Sequence, residues 1–600
     1  MPHSPLFIQP FSNIPHPSIR RPTLRSTRPT LRRPTHPVRP RTSVYCVSQD
    51  VRVSGGGVAP SEDAFTQYDG QDPVHFASLA SDPAVRMVPV WRKIFSDQMT
   101  PVVAYRCLVA ENDQTTPSFL LESVHTGERV GRYSLVGARP VCEVVAYKQN
   151  VTVVRHERTG TTRHTEKVDD PWKVIAEMNN TLKPVSSCSL PAAEAFFSGG
   201  WVGYGGYDTM RYAELKSLPF SATPKDDRGL PDLHFGLYKD VFAFDQVAKV
   251  IYIVHWVDIT DHSNANGEAL VAEAHAAGMK ELDSLVETLH KGANLSTMSP
   301  GTVNLNTDAA AIRQYPSNMT KEEFMEALSK IKYHIMVGDT FQTVFSQRFE
   351  RWSEADPFSV YRALRIINPS PYMIYMQNEG SILVASSPEI LTKVENGTLT
   401  NRPLAGTRRR GASEEEDEVL AKELLADGKD RSEHMMLVDL GRNDVGKVSA
   451  YGSVKAEQIM NVEKYSHVMH ISSTVKGKLR EGLTSWDALR ATLPAGTISG
   501  APKIRAMQII DDLEPTKRGP YGGGIGYISF HDSMNIALAL RTMVVPTKPR
   551  MNADGKPEWQ YFLQAGAGIV YESDPEAEYT ETVNKAMAMN RAIDLAENAF

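Results

Sequence analysis

The sequence predicts an α+β fold, and three observations lead there: apolar residues at helical spacing over long stretches, many short strand-like runs, and no regular βαβ rhythm between them. With 600 residues, 41% of them hydrophobic, the chain can bury a large core. At about 150 residues per domain it has room for two to four domains. Strand-like runs occur in the first half at Ser118-Phe119-Leu120-Leu121-Glu122-Ser123 and Ala248-Lys249-Val250-Ile251-Tyr252-Ile253-Val254. In the second half Phe324, Leu328, Ile331 and Ile335 predict a core-facing helix over 321–338. Strands are expected over 341–345, 372–376 and 381–384, then one long helix over 415–440, and a glycine-studded strand cluster closes the chain.

Composition divides the chain further. Residues 1–46 carry eight arginines, no lysine and no acid, with repeated Pro, Ser and Thr. Such a segment reads as an organelle transit peptide rather than a nucleic-acid arm, because no aromatics interleave with the charges. Without those arginines the formal charge falls from −6 to −14, which disfavours a polyanionic partner. Residues 47–85, rich in Gly, Ser and Asp, are expected to be a flexible linker. An N-terminal region over 86–288, a polar linker over 289–318 and a C-terminal region over 319–600 complete the division. Four cysteines, Cys46, Cys107, Cys142 and Cys188, show no C-x-x-C spacing, which argues against a zinc site or a disulfide framework. No apolar run reaches the ~18 residues of a membrane-spanning helix.

Six segments carry unusual chemistry: Ser386-Ser387-Pro388-Glu389; Arg402-Pro403-Leu404-Ala405-Gly406-Thr407; the run from Asp430 through Glu433 to Asp444; the run from Pro494 through Thr497 to Lys503; the glycine-rich run from Gly519 through Tyr521 to Tyr527; and Gln564-Ala565-Gly566-Ala567-Gly568-Ile569-Val570. The last reads as a strand entering a glycine turn with exposed N–H groups, followed by Glu578 and Glu581 on one helical face. An anionic ligand bridged by Mg²⁺ is one reading. An acidic first helical turn after an Asp cap and Pro is the other. No Gly-Lys-Ser or Gly-Lys-Thr follows any glycine run, so nucleotide binding is disfavoured.

Taken together and in order, these motifs closely resemble the chorismate-binding enzymes over about 320–595. The N-terminal Leu120-Leu121-Glu122-Ser123 and Gly200-Trp201-Val202-Gly203-Tyr204 are similar to the branch whose members make anthranilate in plastids. The resemblance implies an α/β sandwich of two packed, mainly antiparallel sheets, built from strands of both regions and surrounded by helices. It further implies conversion of chorismate and ammonia to anthranilate and pyruvate, the first committed step toward tryptophan, in the plastid stroma.

Within the family the products differ, and two positions discriminate. Relatives that add water carry a lysine base where this chain has Gln342, and an amide cannot act as that base. Aminodeoxychorismate-forming relatives place a lysine nucleophile where Ala405 stands. Isochorismate and aminodeoxychorismate synthesis, and a non-catalytic tryptophan-sensing subunit, are the alternative readings.

The site carried over from the family is specific. Glu389 is the expected general acid, with His467 and Thr497 as further catalytic residues. Glu433 and Glu581 are expected to hold Mg²⁺, backed by Asp430 and Glu578. Gly406, Thr407, Tyr521, Arg541, Gly566, Ala567, Gly568 and Lys585 would bind the substrate. Tryptophan, as feedback inhibitor, would meet Ser123, Pro371, Tyr372 and Met373. Because no cysteine follows Cys188 and no Gly-x-Cys-x-Gly elbow occurs, ammonia is expected from a separate glutamine amidotransferase subunit.

Overall fold

Two sheets, each of twelve strands among the described residues, form the body of the protein. The computed structural model describes residues 70–123, 131–157, 160–185, 196–262, 270–293, 301–303, 315–465 and 468–600. Both sheets are assembled from distant parts of the chain. In the first, Ser118–Glu122 pairs antiparallel with Tyr372–Asn378, in register Leu121↔Ile374. In the second, Gly200–Gly205 pairs antiparallel with Gly524–Ser529, in register Trp201↔Ile528. The expected mainly antiparallel sandwich is therefore present, with the two halves of the sequence sharing each layer.

The largest apolar cluster lies where the sheets face one another. It joins Phe119, Leu121, Trp256, Ile374 and Val344 of the first sheet to Val144, Trp201, Phe235, Ile525 and Leu391 of the second. A second cluster covers the other face of the first sheet. There Phe76, Tyr105, Leu282, Tyr361, Met589 and Ile593 from surrounding helices pack on Leu120, Val136, Ile253 and Leu563. The alternation of strand side chains explains the division: Leu120 and Leu121 are neighbours in sequence and belong to different clusters.

Three expectations need correction. The stretch expected as a single helix over 415–440 is two helices, Glu414–Ala426 and Gly428–Gly446. Asp427 takes an extended conformation between them, and its carboxylate accepts the amides of Lys429 and Asp430 at 2.9 and 3.1 Å. An aspartate that caps a new helix satisfies donors which a continuous helix would bury in its own ladder. Within 47–85, residues 73–80 form a helix instead of a loose tether: Asp72 caps Pro73–Ala80, and Phe76 is 1% exposed. Residues 289–293, expected to open a linker, belong to the helix Val271–Ala293, and Leu289 is fully buried. Residues 1–69 lie outside the described residues.

Trp201, fully buried in the strand that joins the two regions, offers a test of this shared core. Trp201→Ala is expected to destabilise the protein by about 3–5 kcal/mol. Chemical denaturation followed by tryptophan fluorescence and by circular dichroism should show both halves melting earlier together.

Candidate active site

The site is built around the longest ladder in the first sheet, where Gln342–Ser353 runs antiparallel to Pro557–Ile569 from Thr343↔Ile569 to Ser353↔Trp559. This ladder overturns the expected glycine turn: Gly566 and Gly568 lie inside a strand, and neither has a positive φ. Close approach, not conformation, is what requires glycine here. A Cβ on Gly568 would sit 2.5 Å from the Gln342 amide nitrogen, and one on Gly566 would sit 3.0 Å from the Tyr521 hydroxyl. Ala567 points to the opposite face and packs with Phe324, Phe345 and Ile569, so its backbone alone remains for a ligand.

Three carboxylates converge beside those glycines. Gln342 Nε2 donates to Glu433 Oε1 at 3.0 Å, and burial, with Asp430 and Glu581 nearby, raises the Glu433 pKa above the usual carboxylate range. Glu578 and Glu581 stand on the C-terminal helix Pro575–Ala599, capped by Asp574. They divide the labour of one helical face. Glu578 is buried against Ser573, while Glu581 is half exposed and pairs with Lys585 Nζ at 2.7 Å. Burial and the charge of Glu581 both push the Glu578 pKa up. Asp430 is engaged elsewhere, held by Arg408 Nη1 at 2.9 Å.

The charge of Glu581, acting on Glu433 and on Glu578, is the arrangement a cation relieves. Mg²⁺ keeps several waters and substrate oxygens, so one carboxylate from each of two helices matches its needs. Among the described residues no cluster of three or more His, Cys, Asp or Glu has ligating geometry.

A cavity of about 650 Å³ opens alongside, lined by Asn368, Val468, Arg541, Glu581, Asn584 and Lys585 among others. Arg541 sits between two strands with φ of 47°, a left-handed conformation rare for a side chain of its size. Its guanidinium makes no ion pair with any described residue, and burial lowers its pKa. Lys585, by contrast, is already engaged by Glu581 and by the Gly566 carbonyl at 2.9 Å.

Glu389 follows the strand Ser381–Ser387 and is buried. Burial pushes its pKa up to about 8, opposed by hydrogen bonds from Thr497 and from the Leu404 backbone. Thr497 Oγ1 stands 3.3 Å from Glu389 Oε1. A carboxyl in this environment keeps its proton at neutral pH and can donate it.

His467 lies outside the described residues. Three residues further on, His470 reaches the site. Along the strand Val468–Lys478, Met469 and Ile471 pack inward with Leu424, which leaves His470 on the same face as the cavity-lining Val468. His470 Nδ1 is 2.8 Å from the Gly406 carbonyl and 3.2 Å from Thr407 Oγ1. A carbonyl only accepts, so Nδ1 carries the proton and Nε2 retains its lone pair. Burial, then the positive charges of Arg541 and Lys585, lower the His470 pKa to about 4, against the Gly406 hydrogen bond. The ring is neutral at physiological pH. Strand alternation around Met469 and Ile471 was the sequence signal for this residue.

Ser123, Pro371, Tyr372 and Met373 meet in a separate cavity of about 970 Å³ between the sheets. Pro388 and Leu404 also line it. Both adjoin the catalytic face: Pro388 precedes Glu389, and the Leu404 backbone hydrogen-bonds the Glu389 carboxyl.

Comparisons with known proteins place the chain in a family. Residues 117–591 match the family model described as chorismate binding enzyme. The chain is 53% identical over 542 residues to an Arabidopsis thaliana protein named anthranilate synthase alpha subunit 1, chloroplastic, covering 87% of this chain and 89% of that one. It is 43% identical to anthranilate synthase component 1 of Acetivibrio thermocellus, covering 85% of this chain and 96% of the relative. Among solved structures, anthranilate synthase component I from Streptococcus pneumoniae TIGR4 superposes with a TM-score of 0.61 at 34% identity, covering 83% of this chain and 99% of the other. With its motifs, its two interleaved sheets and these relatives in agreement, the chain belongs to the chorismate-binding enzyme family, in the branch of the anthranilate synthase alpha subunits.

Proposed function

We propose that this chain converts chorismate and ammonia to anthranilate, pyruvate and water in the plastid. One observation carries the reading: a largely buried arginine, Arg541, without an acidic partner among the described residues, facing a cavity that Glu581 and Lys585 also line. A buried guanidinium left unpaired calls for an anion, and its planar fork matches a carboxylate in two hydrogen bonds. Chorismate carries two carboxylates. The backbone at Gly566 and Gly568 would meet a substrate carboxylate, and Tyr521 and Thr407 supply hydroxyls beside it.

Glu389 donates a proton to the departing 4-hydroxyl as ammonia attacks C2, so that water leaves rather than hydroxide. Such assistance is worth about 10² to 10⁴ in rate. His470, neutral with Nε2 free to accept, takes the C2 proton when pyruvate is eliminated. Gln342, tied to Glu433, holds no base with which to activate water, which favours ammonia over water as nucleophile. Glu433 and Glu581 would hold Mg²⁺, with Glu578 buried behind; when bound, the ion supplies positive charge that orients a substrate carboxylate and neutralises the acidic wall.

Ammonia is delivered by a separate glutamine amidotransferase subunit, since the chain lacks the cysteine nucleophile that glutamine hydrolysis needs. The 970 Å³ cavity with Ser123, Pro371, Tyr372 and Met373 is the proposed site for tryptophan as feedback inhibitor. Its wall at Pro388 and Leu404 gives an occupant direct access to the Glu389 environment. Residues 1–46 serve as the transit segment.

Purified protein supplied with chorismate, Mg²⁺ and ammonium should release pyruvate and a product with anthranilate fluorescence; another aromatic product in its place would refute the reading. Arg541→Lys keeps the charge and loses the fork, and is expected to weaken chorismate binding about 10- to 100-fold by titration, in line with the cost of a lost charged hydrogen bond. Because Glu389 acts in its protonated form and its pKa is about 8, turnover should decline as pH rises through about 8. Glu389→Gln should lower kcat by about 10² to 10⁴ at pH 7.

A further inference from the structure

Behind the cleft lies a buried ion pair that the proposed mechanism does not use. The side chains of Glu514 and Arg518 are each 2% exposed, and Arg518 grips both carboxylate oxygens, Nε to Oε2 at 2.8 Å and Nη2 to Oε1 at 2.6 Å. The remaining donors reach two other elements. Nη1 donates to the Ile498 carbonyl at 2.7 Å, one residue from Thr497. Nη2 donates to the Val344 carbonyl at 2.8 Å, in the strand that carries Gln342. Glu514 Oε1 in turn accepts both the amide and the hydroxyl of Ser346 at 2.8 Å, and Ser346 stands opposite Gly566 in the ladder. The guanidinium lies 4.4 Å from the Tyr207 ring centre and 5.9 Å from that of Tyr521.

A pair this deeply buried is weak evidence for stability, because desolvation offsets most of the attraction. What a planar, five-donor fork adds is geometry. We propose that Arg518, oriented by Glu514, is a positioning residue for the reaction. It fixes the short turn Gly496–Ile498 against the strand Gln342–Ser353, and through that turn it sets Thr497 against Glu389. The inference rests on the reading of Glu389 as the general acid. The Thr497 to Glu389 separation of 3.3 Å exceeds the ~2.5–3.0 Å of an ordinary O–H···O bond, so a displacement of a few tenths of an ångström decides whether that bond is made. Tyr521 and the Gly566 backbone, themselves hydrogen-bonded, share the same support.

The test is a double-mutant cycle on the full chain, with chorismate, Mg²⁺ and ammonium, comparing Arg518→Lys, Thr497→Val and the pair. Lysine keeps the charge and loses the contacts made through the fork. Arg518→Lys is expected to lower kcat tenfold or more with KM for chorismate within about threefold, the size of effect a misplaced catalytic group produces. Around Glu389 the groups that act are Thr497 and the Leu404 amide, both of which favour the carboxylate. Weakening the Thr497 bond therefore moves the alkaline limb of the kcat profile to higher pH, in Thr497→Val and in Arg518→Lys alike. The double variant should be no slower than the slower single one. Independent, multiplicative losses in the pair, or an alkaline limb that Thr497→Val moves and Arg518→Lys leaves in place, would overturn the inference, whatever the change in melting temperature. Should Arg518→Lys not fold, Glu514→Gln, which keeps the shape and removes the charge, takes its place in the cycle. Glu389→Gln separates the two claims. Wild-type turnover in that variant removes the acid role, whereas its loss together with a multiplicative Arg518/Thr497 pair removes the positioning role alone.

Discussion

The ladder between Gln342–Ser353 and Pro557–Ile569 is the constraint on which the site depends. Because side chains alternate, it gives the protein two different surfaces from one pair of strands. On one face Gln342, Ser346, Gly566 and Gly568 meet Glu433, Tyr521 and the Glu514–Arg518 pair. On the other, Phe345, Ala567 and Ile569 pack beneath Phe324, Leu328 and Ile331. A slip of one residue would exchange the faces and put Ser346 or Val344 where Phe345 belongs. The same ladder delivers the C-terminal helix, and with it Glu578, Glu581 and Lys585, at a fixed distance past Ile569.

Around this frame the charges fall into two classes. Most ions are partnered within the protein: Asp430 by Arg408, Arg518 by Glu514, and Lys503 by Asp444. The exceptions gather at the cavity, where Arg541 has no acidic partner among the described residues and burial raises the pKa of Glu433 and of Glu578, while Glu581 is paired by Lys585. A polar cleft whose two deficits are opposite in sign suits an anion and a cation bound together.

How much of this the sequence disclosed depends on the kind of information involved. The α+β class and the chemistry-bearing segments were legible because long motifs and hydrophobic period are local signals. The break at Asp427 was local as well, yet it was hidden inside a stretch of good helix formers. Gly566 and Gly568 misled for a different reason: a glycine needed for close approach looks the same in sequence as one needed for a turn, and only Gln342 and Tyr521, remote in the chain, distinguish the two. The same holds for Asp430, whose partner Arg408 comes from another strand, and for the inference from Arg518, whose contacts span Val344 to Ile498. His470 was recoverable from alternation with Met469 and Ile471.

The interleaving of the sheets also bears on how such a chain can be made. The first sheet is continuous only when Pro557–Ile569 bridges Thr542–Pro546 to Gln342–Ser353, and the second needs Gly524–Ser529 beside Gly200–Gly205. Emerging from the ribosome, the first five hundred residues therefore present unpaired strand edges and an incomplete core, the condition that exposes a nascent chain to aggregation. Folding is closed by the last strand to be synthesised. A chain organised in this way cannot close its first sheet until the strand Pro557–Ile569 has been made.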